Sequence, residues 1–162
     1  MSQPFYLTTA ISYVNAKPHV GHAYEFIASD AICRFRRMQG RQVFFLSGVD
    51  EHSATVEKAA EEAGQHPRDY CDYMAKVFRG LHELTGSSLS DFIRTSEPRH
   101  HDTTQELLRR AYAKGDIYKG QYEGWYCTPC EAYWLERQLA DGKCPDCGRP
   151  VELATINERF TL

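Results

Sequence analysis

The first 116 residues carry apolar positions in two alternating periods. Phe5-Tyr6-Leu7-Thr8-Thr9-Ala10 is a short run of aromatic, aliphatic and Thr residues and predicts a buried strand. Asn15 and Pro18 mark a loop after it. From His19 the period lengthens. Val20, Tyr24, Ile27, Ala31, Phe35 and Met38 recur at steps of three or four, which predicts a helix with these residues along one face, closed by Gly40. Val43-Phe44-Phe45-Leu46 predicts a second buried strand, broken by Gly48-Val49-Asp50-Glu51-His52. Helices follow over 55–63 and 67–84, then a short strand over 91–95 and a helix over 99–114, ended by Gly115. Strands alternating with helices predict an α/β fold: a parallel, Rossmann-like sheet with crossover helices.

From Ile117 the texture changes to aromatics, glycines and cysteines, and a boundary is expected near residue 117. The segments expected are 1–116, 117–151 and a short remainder, 152–162. The formal net charge of -3 gives no global basic field to hold nucleic acid by charge alone. Arg34, Arg36, Arg37 and Arg41 cluster, and read as a solvated helix end rather than a nucleic-acid patch. His100 and His101 read as solvent-facing at a helix start. No run of 18 apolar residues and no secretory pattern occurs at the start, so a cytoplasmic location is expected.

Four of the six cysteines form two C-x-x-C pairs, Cys127-Thr-Pro-Cys130 and Cys144-Pro-Asp-Cys147. Two residues between cysteines let both thiolates reach one ion from a tight turn, and two such turns complete a tetrahedral shell. A structural Zn2+ is therefore expected on Cys127, Cys130, Cys144 and Cys147; a closed shell leaves no open position for substrate. Redox dithiols are the weaker alternative, because a redox C-x-x-C normally occurs once. Cys33 and Cys71 read as buried small apolar residues.

His19-Val20-Gly21-His22 falls between the first strand and the first helix. Open α/β sheets bind ligands at the carboxyl ends of their strands, and helix N-terminal amides there suit an anion. On spacing alone, a surface cap and a partly buried histidine are as good a reading as a phosphate site.

The stretch from Ala10 to His22 resembles the His-Ile-Gly-His signature of class I aminoacyl-tRNA synthetases, with Val20 in place of Ile. The run Tyr6-Leu-Thr-Thr-Ala-Ile-Ser-Tyr-Val-Asn15, the run Phe44-Phe-Leu-Ser-Gly-Val-Asp-Glu-His52 and the path from Asp91 through Glu123-Gly-Trp-Tyr-Cys127 are similar to the methionine-specific branch of that family. The resemblance implies adenylation of methionine by ATP with Mg2+, then transfer to tRNA(Met). It implies that His19 and His22 act on the ATP phosphates and that Gly21 packs on the adenine. It further implies that Ala10, Ile11 and Tyr13 line the methionine site and that Asp50 pairs with the substrate ammonium. Ser12 and Ser53 depart from the family's usual residues; Ser53 either narrows the mouth of the site or caps the next helix. The family's Lys-Met-Ser-Lys-Ser loop is absent from residues 1–162. Those residues by themselves are therefore expected to be inactive, unless a second polypeptide supplies the missing half. The alternative is a zinc-binding module that kept the fold and lost catalysis.

Overall fold

A computed structural model describes residues 3–161. Residues 1, 2 and 162, the ends of the expected first and last segments, lie outside it. The chain divides into two compact units, 1–101 and 102–162. Among the described residues no helix is long and apolar enough to cross a membrane.

The first unit is built on a parallel sheet. β3 (Val43–Asp50) is its centre. Along one side of β3 run β1 (Phe5–Thr8) and β2 (Ser12–Tyr13), in register Thr8↔Leu46 and Tyr13↔Asp50. β4 (Asp91–Arg94) pairs with the other side, in register Gly48↔Ile93. The connections carry α1 (Val20–Met38), α2 (Ala54–Glu62) and α3 (Pro67–Leu84). α3 starts at Pro67, whose fixed φ suits the first helical position, under a His66 side-chain cap. α4 (Pro98–Lys114) follows β4. Val14, Phe26, Val49, Val56, Met74, Phe78 and Phe92 form the core between helices and sheet.

One expectation needs correction, and two readings gain detail. The strand expected over 43–46 runs on to Asp50, through the glycine read as its break. The reason is close packing: a Cβ on Gly48 would lie 2.2 Å from the Ile93 carbonyl oxygen on β4. Next, the apolar positions that announced α1 do not face the core. Val20 and Met38 are each 85% exposed, and Tyr24, Ile27, Ala31 and Phe35 are exposed too. The buried residues of α1 are Phe26, Asp30 and Cys33, which lie on the other side at 3.6 residues per turn. Finally, the arginines at the end of α1 are partly solvated, the Arg34 side chain being 57% exposed, yet two of them are anchored. Arg34 donates to Asp30 at 2.5 Å and to the Gly86 carbonyl at 2.6 Å, and Arg37 donates to the Ser88 carbonyl at 3.0 Å. They fasten α1 to the loop before β4.

His82 of α3 is buried, its ring stacked on Phe26 with centroids 3.6 Å apart. Its Nε2 lies 3.0 Å from the Ser47 hydroxyl, which accepts a hydrogen bond from Thr9 at 2.8 Å. Burial pushes the His82 pKa from 6.5 down to about 4, against the opposing pull of the Asp30 charge. A depressed histidine pKa means that the unfolded chain takes up a proton the fold refuses. His82 therefore adds full stability above pH 6.5, and that stability falls as pH drops from 6.5 to 4, by about 3 kcal/mol in all. Urea unfolding of the wild type and of His82→Leu at pH 7 and pH 4.5 checks this. The wild type should lose more stability than the variant between those two values.

The second unit is an antiparallel sheet in the order β6 (Ala132–Trp134), β5 (Tyr118–Cys127), β7 (Glu152–Thr161). Trp125 pairs with Trp134 on one side and with Leu153 on the other. The sequence pattern predicted none of these strands.

Candidate functional site

The carboxyl end of the first sheet gathers the residues singled out in the sequence. His19 is the N-cap of α1. Its Nδ1 accepts from the Gly21 N–H at 3.0 Å, and the His22 Nδ1 accepts from the His19 N–H at 3.1 Å. The two rings sit 4.1 Å apart, and His22 is also braced edge-on against Phe78 at 5.4 Å. An imidazole Nδ1 that accepts places the proton of the neutral ring on Nε2. Each ring thus offers an Nε2–H donor beside the helix N-terminus. Burial, and then the neighbouring His19, hold the His22 pKa below its usual value, so this ring stays neutral at pH 7. A Cβ on Gly21 would come within 2.8 Å of the His19 ring, so the glycine leaves room for the cap.

Tyr13 and Asp50 are register partners on adjacent strands. Ala10 and Ile11 lie in the short link between β1 and β2, and both are exposed. The Ala10 N–H donates to Glu25 Oε1 at 2.9 Å, which ties this link to α1. Sequence reading missed Glu25, since nothing local marks a contact 15 residues away. Asn15 reaches the Thr55 hydroxyl at 3.4 Å. Ser53 caps α2, its hydroxyl accepting from the Thr55 N–H at 3.0 Å, the second of the two readings given for it.

The acids at the end of β3 differ in state. The Glu51 carboxylate is buried and accepts from Arg94 Nε at 2.8 Å and from the Ser96 hydroxyl; Arg94 also reaches Asp72 at 2.5 Å. Glu51 is neutralised within the fold. Asp50 makes no ion pair among the described residues and accepts from the His52 N–H at 3.2 Å and the Thr95 hydroxyl at 3.3 Å. Of the two adjacent carboxylates, Asp50 alone has its charge available to a ligand cation.

In the second unit the four C-x-x-C sulfurs come together. Their ligand atoms all lie within 4.8 Å of one another, with Cys127 and Cys147 at 3.6 Å and Cys130 and Cys144 at 3.9 Å. A tetrahedral zinc with bonds of about 2.3 Å requires sulfurs about 3.8 Å apart. The separations fit that shell and are far too long for disulfides. The chain turns alike after each pair, through Glu131 at φ 50° and Gly148 at φ 67°. Burial raises the Cys144 pKa, but the N–H groups of Cys147 and Asp146, together with the Cys127 and Cys147 side chains, outweigh it and bring the thiol down to about 7. Amides aimed at a sulfur favour the thiolate that a metal needs.

The family model for tRNA synthetases class I (M) matches residues 5–156. The chain belongs to that family. The methionine–tRNA ligase of Caldanaerobacter subterraneus subsp. tengcongensis is 48% identical over 99% of this chain, which covers 25% of that protein. The Rhizobium meliloti ligase is 47% identical over 93% of the chain and 30% of its own length. Among solved structures, Mycobacterium tuberculosis methionyl-tRNA synthetase bound by methionyl-adenylate superposes with a TM-score of 0.89 at 42% identity, over 98% of this chain and 32% of that one. This member of the class I (M) synthetases therefore spans about a quarter to a third of the length of these relatives.

Proposed function

We propose that residues 1–116 form the first half of the nucleotide-binding domain of a methionine–tRNA ligase. In this reading 117–151 is the zinc-bearing connective region and 152–162 the start of the return segment. The single observation that carries it is the reciprocal histidine cap of α1, which leaves two Nε2–H donors at the helix N-terminus, in the same sheet-and-helix unit whose β3 ends at Asp50. His19 and His22 donate to the phosphate oxygens of ATP, which binds with Mg2+. These bonds strengthen as negative charge grows on the phosphate. Asp50 holds the methionine ammonium, while Ala10, Ile11 and Tyr13 face its side chain. So held, the methionine carboxylate attacks the α-phosphate, forming an O–P bond as pyrophosphate leaves. Fixing both reactants accounts for much of such a rate. In the whole ligase the methionyl group then passes to tRNA(Met). Cys127, Cys130, Cys144 and Cys147 hold the Zn2+, which is structural.

Residues 1–162 by themselves do not run the reaction, because they lack the Lys-Met-Ser-Lys-Ser loop. Further sheet and helices, from a longer chain or a second polypeptide, complete the domain. Two features support this. Among the described residues the outer side of β1 pairs with no strand, and the α1 stripe from Val20 to Met38 is exposed.

Titrating the 15N-labelled chain with a non-hydrolysable methionyl-adenylate analogue tests the reading. The imidazole signals of His19 and His22 and the amides of Ala10, Tyr13 and Asp50 should shift together, and Asp50→Asn should weaken binding tenfold or more. ATP–pyrophosphate exchange should be absent from the chain and return with the missing half. If none of these signals moves while zinc stays bound, the zinc module without catalysis is the right description.

A further inference from the structure

The acid that the proposed function assigns to the substrate ammonium is itself held in place, and what holds it comes from a different strand. Thr95 follows β4 directly and is buried. Its backbone continues the ladder, the Thr95 N–H donating to the Val49 carbonyl at 3.3 Å. Its hydroxyl oxygen accepts from the Glu51 N–H at 2.9 Å. That amide has its only proton to give, so the hydroxyl proton is left for another acceptor. The acceptor is Asp50 Oδ1, 3.3 Å away. The His52 N–H donates to the same oxygen at 3.2 Å. Two donors therefore converge on Oδ1. The residues either side of Thr95 are fastened as well: Arg94 to Glu51 and Asp72, and Ser96 to Glu51. Three successive residues clamp the Asp50-Glu51 pair from β4.

We propose that Thr95 is a positioning residue for Asp50: its hydroxyl, with the His52 amide, fixes Oδ1 so that the Oδ2 edge is presented to the ammonium of an amino-acid substrate. This rests on the assignment of Asp50 to the ammonium. A carboxylate on a surface strand end would otherwise turn freely about its side-chain torsions, and each bond to a cation would have to offset that lost freedom. Holding one oxygen removes the rotation before the ligand arrives. Two hydrogen bonds to Oδ1 also leave Oδ2 as the oxygen with most unshared charge. The strand register sets Tyr13 opposite Asp50, so the residues assigned to the cation and to the apolar part of the substrate belong to one piece of sheet.

The test compares two probes on the same chain by 15N chemical-shift titration: methionine, and 4-(methylthio)butanoate, which has the same thioether and carboxylate but no ammonium. Thr95→Val keeps the shape and removes the hydroxyl. It should weaken methionine binding roughly tenfold, as expected for a hydrogen bond to a charged group, and leave the des-amino probe unchanged. Thr95→Ser, which keeps the hydroxyl and disturbs the fold less, should bind methionine as the wild type does. Equal weakening of both probes by Thr95→Val, or a loss in Thr95→Ser as large as in Thr95→Val, overturns the proposal, because the residue then acts only as packing. Asp50→Asn separates the two levels of the reading. If it abolishes the preference for methionine while Thr95→Val does not touch it, Asp50 meets the ammonium and Thr95 does not position it. If Asp50→Asn leaves the preference intact, the ammonium assignment falls and this proposal falls with it.

Discussion

Replacing Gly48 by alanine should unfold, or nearly unfold, the first unit. The added Cβ would sit 2.2 Å from the Ile93 carbonyl oxygen and 2.6 Å from Ile93 Cγ2. The nearest atom is backbone of the neighbouring strand, so no side chain can swing away to relieve the overlap. Relief requires β3 and β4 to separate, and Ser47↔Phe92 and Val49↔Arg94, the pairs on either side, resist that. Overpacking a tight core costs about 1–3 kcal/mol when side chains can adjust. A clash with backbone should reach or exceed about 3 kcal/mol, against total stabilities of about 5–15 kcal/mol for ordinary domains. Gly80→Ala is the control. Gly80 lies inside α3, and a Cβ there meets nothing within 4 Å. Alanine in a helix interior is better than glycine by about 1 kcal/mol, so this variant should be more stable than the wild type. Thermal and urea unfolding of the two variants should move in opposite directions. A Gly48→Ala protein that melts with the wild type would mean that β3 and β4 are not packed as described.

The second large effect is metal removal. A strong chelator should dissolve the fold around the four cysteines. Apart from β6, which pairs with β5, this patch of chain has little else to hold it. Of the residues between Thr128 and Gly148, Cys144 alone is fully buried, and the turns are short isolated bridges at Ala140, Lys143 and Pro150. Structural zinc in small modules supplies about 10–16 kcal/mol of apparent binding energy at pH 7, far more than such bridges provide. Cys144→Ser should act as the chelator does, and one zinc per chain should be lost by atomic absorption. Amide signals of 127–150 should collapse while those of β1, β3 and β4 persist. If the first sheet unfolds as well, the two units fold as one.

What could be read in the sequence depended on how local each cause was. α3 was legible to the residue, because Pro67 starts it and an apolar period runs its length. The four cysteines were legible because ligand spacing is itself local, and the structure brings their sulfurs together. Residues 19–22 were legible as a loop-to-helix entry, though not as a cap in which each histidine serves the other. The extent of β3 was not legible. Glycine is a turn signal in sequence and a close-packing residue in space, and only the neighbouring strand decides which. The helix α1 was legible from its apolar stripe, but the face it buries was not, because a stripe does not name the partner that covers it. The strands of the second unit are written in aromatics and glycines, without a clean alternation. The clamp of Arg94, Thr95 and Ser96 on Asp50 and Glu51 joins residues more than 40 positions apart, and no pattern along one chain reports such a pairing.

The histidine cap of α1 has a cost in versatility. Helix caps are ordinarily interchangeable: serine, threonine, asparagine and aspartate all serve. None of these short side chains can seal the first turn and still carry a second donor several bonds further out. An imidazole can, because its two nitrogens lie on opposite sides of a rigid ring and do different jobs. The same rigidity couples the jobs. The nitrogen that seals the turn decides which nitrogen keeps the proton, so a change that breaks the cap also releases the outer donor from its fixed direction. A variant such as His19→Asn splits what the wild type joins, retaining the turn and discarding the outer donor.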